Sequence, residues 1–235
     1  MKKSARLLIG IASIFALAAC STDNGSNQAE NEADSTSEFG TASDSTESIN
    51  GGSERTLVAY FSYPVGTDLD VVSGASVLQN DGEYLGLVEQ ASIWISEELE
   101  ADSFLIEPAE AYPDDVRQII DEVSSDDAPD RELTRLVENF DNYDTIYLGY
   151  PIWMGTLPPM VQQFLESHDF TGKTVIPYTV HGGSGLANTV RTIQEEIPEA
   201  TVVNDALSVS RNDIENSQQE ILDWLAEITA KGGGG

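Results

Sequence analysis

The side chains best suited to gripping a flat ligand lie together between Gly149 and Pro159, in the run Gly-Tyr-Pro-Ile-Trp-Met-Gly-Thr-Leu-Pro-Pro. Trp153 and Met154 offer an apolar wall, while Pro151, Ile152 and Gly155 supply backbone that a ligand can approach closely. The preceding run Thr145-Ile146-Tyr147-Leu148 is β-branched and aromatic and reads as a buried strand. Pro158-Pro159 stands where a helix begins, because the amide that proline lacks would be unpaired there. Met160, Val161, Phe164 and Leu165 then recur at helical spacing. The run is therefore a strand-to-helix turn at the carboxyl end of a strand, where open α/β sheets bind ligands. The same residues suit a packed turn around a core tryptophan. A second turn of this kind is His181-Gly182-Gly183-Ser184-Gly185. Its glycines bring backbone amides close to a planar ligand, and Ser184 suits a helix cap. His181 is either a structural hydrogen-bond partner or a neighbour of the ligand. His168, in a polar turn before Asp169, receives no role.

These turns need a sheet to hold them. Thr56–Phe61, Ser103–Ile106, Thr145–Leu148, Thr174–Val180 and Thr201–Leu207 read as five strands. Helical spacing appears at Leu87 to Leu99, Val116 to Val123, Leu133 to Phe140, Met160 to Leu165, Leu186 to Ile197 and Ile214 to Ile228. Strands alternating with helices predict a parallel, doubly wound α/β sheet with helices on both faces. Pro177 removes a ladder donor from the fourth strand, which a bulge would accommodate. The domain is expected over residues 54–230, and residues 231–235 read as a frayed, glycine-rich tail.

Residues 1–20 are expected to lie outside the fold. Lys2, Lys3 and Arg6 precede an apolar run, Leu7 to Ala16, too short to span a bilayer comfortably. The run ends in Leu17-Ala18-Ala19-Cys20, which resembles a lipobox; the resemblance implies that Cys20 carries a lipid and becomes the new N-terminus. Two acyl chains make a stable anchor. Residues 21–53 hold seven acidic residues, no basic one, and only Phe39 and Ile49 as large apolar side chains, so they read as a disordered tether. Cys20 is the only cysteine, which excludes disulfides and cysteine-based metal sites. The formal charge of −30 becomes −33 once the leader's three basic residues are removed. Nucleic acid is therefore not a partner, and contact with the membrane is expected through the lipid anchor alone. No zinc-ligand spacing, no Gly-x-x-x-x-Gly-Lys-Ser/Thr loop and no Gly-x-Ser-x-Gly elbow occurs.

Tyr150-Pro151-Ile152-Trp153-Met154-Gly155-Thr156-Leu157-Pro158, Thr179-Val180-His181-Gly182-Gly183-Ser184-Gly185 and Ser210-Arg211-Asn212-Asp213 together resemble a bacterial flavodoxin-like family, over about Thr56 to Ala230. The resemblance implies the strand order 2-1-3-4-5 and FMN as cofactor. It places Pro151, Ile152, Trp153, Met154 and Gly155 along the flavin ring, with His181, Gly182, Gly183, Ser184 and Gly185 as the second flavin loop. Ser62 matches the family's first phosphate-loop hydroxyl. Gly86-Leu87-Val88 stands where the family carries Gly-Asn-Thr, so two polar phosphate ligands are replaced, and Glu89 beside them is adverse to a dianion. Within the insertion Pro64 to Leu85, Asp70-Val71-Val72-Ser73-Gly74-Ala75-Ser76 resembles the acceptor motif of bacterial flavin transferases. That resemblance offers covalent attachment at Ser76 as the alternative to non-covalent FMN. Function is thereby narrowed to three readings. The first is a lipid-anchored, extracytoplasmic FMN electron carrier whose redox partner is a protein, a quinone or a nicotinamide reductant. The second is an NAD(P)H- or quinone-linked flavin reductase. The third is a flavodoxin-like binding module that has lost FMN.

Overall fold

Side chains alternating along the strands divide the molecule into two apolar layers with a sheet between them. The computed structural model describes residues 55–64, 77–80, 83–125 and 127–232. The leader, the tether, Ser76 and the last three glycines fall outside the described residues. β1 (Thr56–Tyr60) is followed by an antiparallel hairpin, β2 (Val77–Asn80) and β3 (Glu83–Gly86), which runs straight into α1 (Leu87–Leu99). The order continues β4 (Asp102–Leu105), α2 (Val116–Val123), β5 (Thr145–Pro151), α3 (Pro159–Ser167), β6 (Thr174–His181), α4 (Thr189–Glu196), β7 (Thr201–Val202), β8 (Leu207–Ser210) and α5 (Gln218–Gly232). The main sheet runs β4-β1-β5-β6-β7, with β8 also on β6, and every pairing in it is parallel. Counted along the chain this is the expected order 2-1-3-4-5, its last strand in two pieces. Leu57, Ala59, Ile146, Leu148 and Tyr150 face one core with α2, α3 and α4; Val58 and Tyr147 face the other with α1 and α5. This period of two, with both faces covered, is that of a doubly wound sheet.

Four local expectations are corrected. Pro177 needs no bulge. Its neighbour on the far side changes there, from β7, which ends at Val202 opposite Val175, to β8, which begins at Leu207 opposite Tyr178. The missing amide thus falls in a gap between partners, and the fifth strand is split for the same reason. Residues 133–140 form no helix despite their spacing. Their backbone groups are taken by tertiary partners instead: Ala109 N–H donates to Glu132 O (2.8 Å) and Thr134 N–H to Glu107 O (2.9 Å). Leu136, at an apolar position of the presumed helix, is 53% exposed. The final helix, expected from Ile214, starts at Gln218 after a 3-10 turn (Ile214–Asn216). Lys231 belongs to that helix and pairs with Asp205 at 2.8 Å, so it is not a frayed tail. The β2–β3 hairpin is an element the sequence reading missed, although Asp81-Gly82 between apolar runs is a two-residue hairpin signal.

His168 holds the 133–140 strap in place. Its ring lies between Phe140 (4.6 Å) and Phe164 (4.4 Å). Val137 N–H donates to Nε2 at 3.0 Å, which places the ring proton on Nδ1, and Nδ1–H donates to Phe164 O at 2.9 Å. Burial pushes the imidazole pKa below its usual 6.5. Protonation would place a second donor against the Val137 amide. The unfolded chain therefore takes up this proton more readily than the folded one. The stabilisation is fully present above about pH 6.5 and is lost as pH falls through the lower folded value. Wild type should accordingly lose its urea-unfolding advantage over His168→Gln on going from pH 8 to pH 5. An advantage that does not change with pH would contradict this role.

A second lock joins α1 to the central strands. Ser92 Oγ–H donates to Val88 O (2.7 Å), so the Tyr178 hydroxyl donates to Ser92 Oγ (2.7 Å). The Tyr178 ring lies so close over Gly149 that a Cβ there would sit 2.3 Å from Cζ. Ser92→Ala should cost about 1–3 kcal/mol by stranding a buried hydroxyl, and adding Tyr178→Phe should recover most of it. Gly149→Ala should destabilise by a further-reaching mechanism, overpacking, at about 1–3 kcal/mol. Chemical denaturation of the variants and of the double-mutant cycle checks both expectations.

Candidate functional site

The register of β5 on β6 pairs Pro151 with Val180, so the two turns singled out by the sequence leave neighbouring strands at the same level. β1, on the other side of β5, pairs Tyr60 with Gly149, which brings Ser62 to the same carboxyl edge. Three adjacent strands thus deliver Ser62, Met154 and His181 to the same carboxyl edge of the sheet.

The β5 turn is a tight hairpin. Trp153 N–H donates to Thr156 O (3.1 Å), and Thr156 N–H donates to Trp153 O (2.8 Å). The two central residues, Met154 (φ 49°) and Gly155 (φ 79°), both have positive φ. That is the backbone of a type I′ turn, which glycine adopts freely and methionine does not. A left-handed Met costs about 1–2 kcal/mol. Met154 is also 41% exposed, and a Cβ added at Gly155 would meet nothing within 4 Å. Met154 thus combines an outward apolar side chain with a strained backbone, a combination that clusters at ligand clamps.

Trp153 does not form the open wall expected of it. It is 1% exposed, with its indole edge-on to Phe61 (5.2 Å, 76°) and Tyr112 (5.2 Å, 74°). Tyr63 extends this aromatic group, and its hydroxyl donates to Tyr112 O at 2.9 Å. The reason is geometric: the incoming arm of the hairpin, ending at Trp153, faces the core, while Met154, Gly155 and Thr156 face outward. Pro151 and Ile152 are likewise buried. They therefore support the turn from beneath, and Met154 and Gly155 alone of the five are presented outward. The buried Trp153 Nε1–H finds no acceptor among the described residues. A stranded buried donor costs about 1–3 kcal/mol, which the aromatic packing around the indole has to offset.

In the β6 loop, Gly182, Gly183 and Ser184 are exposed. Gly183 (φ 128°) and Gly185 (φ 59°) carry the chain through the turn. Gly183 N–H donates to His181 Nδ1 at 2.9 Å, which puts the ring proton on Nε2; burial lowers the imidazole pKa below 6.5 and favours this neutral form. Ser184 does not cap the helix. α4 starts at Thr189 after a further turn in which Ala187 N–H donates to Ser184 O, and its N-cap is Asn188.

At the α1 end, Ser62 Oγ is pressed against Gly86, where a Cβ would sit 1.9 Å from it. Leu87 and Val88, each 2% exposed, turn into the core, and Gly86 N–H donates to Glu89 Oε2 at 3.2 Å. Ser62, Tyr63, Glu89 and Glu107 share a cavity of about 320 Å³. A larger cavity, about 450 Å³, lies by Arg55, Asp102 and Tyr143 at the amino ends of β1 and β4, away from the crevice. The ring-binding half of a flavodoxin site therefore fits these residues, with the outward Met154-Gly155 tip and the exposed glycine loop on one sheet edge. The phosphate half does not fit, because a carboxylate already stands at the helix terminus.

Known structures share this fold. A candidate flavoprotein from Bacteroides eggerthii is 23% identical over 75% of this chain and 99% of its own, with a TM-score of 0.55. A second from Bacteroides uniformis is 25% identical over 74% and 99%, with a TM-score of 0.53. A flavoprotein from Lactobacillus acidophilus in complex with FMN is 20% identical over 73% and 99%, with a TM-score of 0.46. No curated protein matches the chain. The family model described as flavodoxin matches residues 84–228, well over half the chain, and with the parallel 2-1-3-4-5 sheet it shows that this chain belongs to the flavodoxin family.

Proposed function

We propose that the chain is an electron carrier that binds a flavin, the FMN-type cofactor of its family, without a covalent bond. The observation that carries this is the Met154-Gly155 tip, strained and turned outward on the same sheet edge as the exposed residues Gly182, Gly183 and Ser184. The flavin supplies the redox chemistry when bound. Met154 would cover an apolar ring face, and the amides of Gly182 and Ser184 would donate toward the edge where negative charge collects on reduction. Neutral His181 fixes the loop through the Gly183 amide. The binding-module reading draws on Leu87, Val88 and Glu89 at the phosphate end.

The visible spectrum of the purified chain tests this. Yellow colour that stays in the supernatant after acid precipitation is expected; colour in the pellet means attachment, with Ser76 as the acceptor to replace by Ala. A colourless protein that takes up no added flavin overturns the reading in favour of the binding module. Fast NAD(P)H oxidation by the chain alone would instead make it a reductase.

Met154→Gly separates site from scaffold. It should relieve about 1–2 kcal/mol of left-handed strain, offset by about 0.5–1 kcal/mol of glycine's added freedom when unfolded. Stability should hold or rise slightly while flavin affinity falls several-fold. Unchanged affinity would remove Met154 from the site.

We further propose that Cys20 anchors the chain by lipid on the outer side of the bacterial cytoplasmic membrane, with residues 21–53 as the tether. The lipobox-like Leu17-Ala18-Ala19-Cys20 supports this. Cys20→Ala should move the chain from the membrane to the soluble fraction or block its processing. A wild-type chain that is soluble with an unmodified N-terminus would exclude it.

A further inference from the structure

The amino terminus of α1 is occupied by the helix's own side chain. Free amides in a first turn attract anions. Here Gly86 N–H is taken by Glu89 Oε2 at 3.2 Å, so a carboxylate stands where a bound anion would sit. No hydroxyl or amide side chain replaces it, because Leu87 and Val88 are turned into the core between the sheet and α5. Glu107, from the segment after β4, lines the same cavity as Glu89 and Ser62, and no Lys or Arg lines it among the described residues. The Tyr60 phenol nearby has a pKa pushed up to about 12, by burial first and then by the charges of Glu89 and Glu107. The ring half of the crevice carries no such conflict, since its outward groups are Met154, Gly155 and the glycine loop.

We propose that Glu89 sets the flavin specificity of this site, its carboxylate excluding a phosphate dianion so that the preferred ligand is a flavin without a free phosphate, of the riboflavin class. This rests on the flavin reading above and narrows it. The ring and its hydrogen-bonding edge are common to FMN and riboflavin, so they set affinity for both. The difference between the two ligands falls on the phosphate, and there the like charges of Glu89 and Glu107 act against FMN. Such repulsion is screened by salt when the groups are partly exposed.

The test uses the full chain, freed of flavin, titrated with riboflavin and with FMN by quenching of flavin fluorescence at low and at high salt. Glu89→Gln is the informative variant, because glutamine keeps the cap on Gly86 while removing the charge. Wild type should bind riboflavin at least as tightly as FMN, and salt should narrow the gap. Glu89→Gln should tighten FMN about tenfold, leave riboflavin within about twofold, and weaken the salt effect on their ratio. Glu107→Gln, outside any helix, should move FMN in the same direction by less, and serves if Glu89→Gln does not fold. Wild type preferring FMN tenfold or more overturns the proposal, as does an equal response of both flavins to the loss of charge. A chain that binds neither flavin, in wild type and variants alike, overturns the flavin reading itself and this specificity with it.

Discussion

The contact of Tyr178 with Gly149 holds the central layer together. β5 and β6 are neighbours, and the Tyr178 ring crosses from one onto the other where Gly149 has no side chain. Its hydroxyl then reaches α1 through Ser92, whose own proton goes to Val88 O. One buried phenol therefore fixes the two central strands and the first helix relative to one another. Burial raises its pKa strongly, so it remains a neutral donor across the accessible pH range. The crevice depends on this lock. Its three sources, the loop after β1, the β5 hairpin and the β6 loop, all leave strands that the lock holds or that pair with them.

Within that frame the β5 turn divides its labour between tip and base. The base residues Trp153 and Thr156 bond to each other, and Trp153 sinks into an aromatic group with Phe61, Tyr63 and Tyr112. That packing stabilises a backbone in which Met154 takes a left-handed conformation. The burial of large aromatic surface, worth a few kcal/mol, outweighs the strain at a single residue. The indole is thus a strut, and the sulfur-bearing chain beside it is left exposed. The turn gains rigidity from the same residues that lose access to a ligand.

Backbone groups that regular elements leave unpaired are satisfied by distant partners. The strap at 133–140 gives its amides and carbonyls to the 107–109 segment and to His168 instead of to its own preceding turn. Pro177 lies where β6 exchanges one neighbour for another, so the absent amide has no strand opposite it. Glu89 closes the first turn of α1 from within. In each case a side chain or a strand break substitutes for a ladder bond, and in the last it also removes an anion site.

The sequence by itself determined the layers. Period-two strands such as Thr56–Tyr60, helical spacing in α1, α3 and α5, and the Gly-Tyr-Pro-Ile-Trp-Met-Gly run were enough for the sheet class, the family and the edge where the site lies. Those signals are local, since they follow from residues a few positions apart on one element. Which residue of the run faces outward was not local. Trp153 and Met154 are adjacent and both apolar, and only the hairpin's cross-bonds, closing over Phe61 and Tyr112, sent one inward and the other out. The helix suggested by Leu133, Leu136, Val137 and Phe140 failed for a related reason: partners far along the chain offered its backbone better bonds than its own turn did. Likewise the spacing of Gly86 and Glu89 hinted at repulsion, but the folded chain alone decided that the carboxylate would turn back onto the amide and occupy the helix terminus.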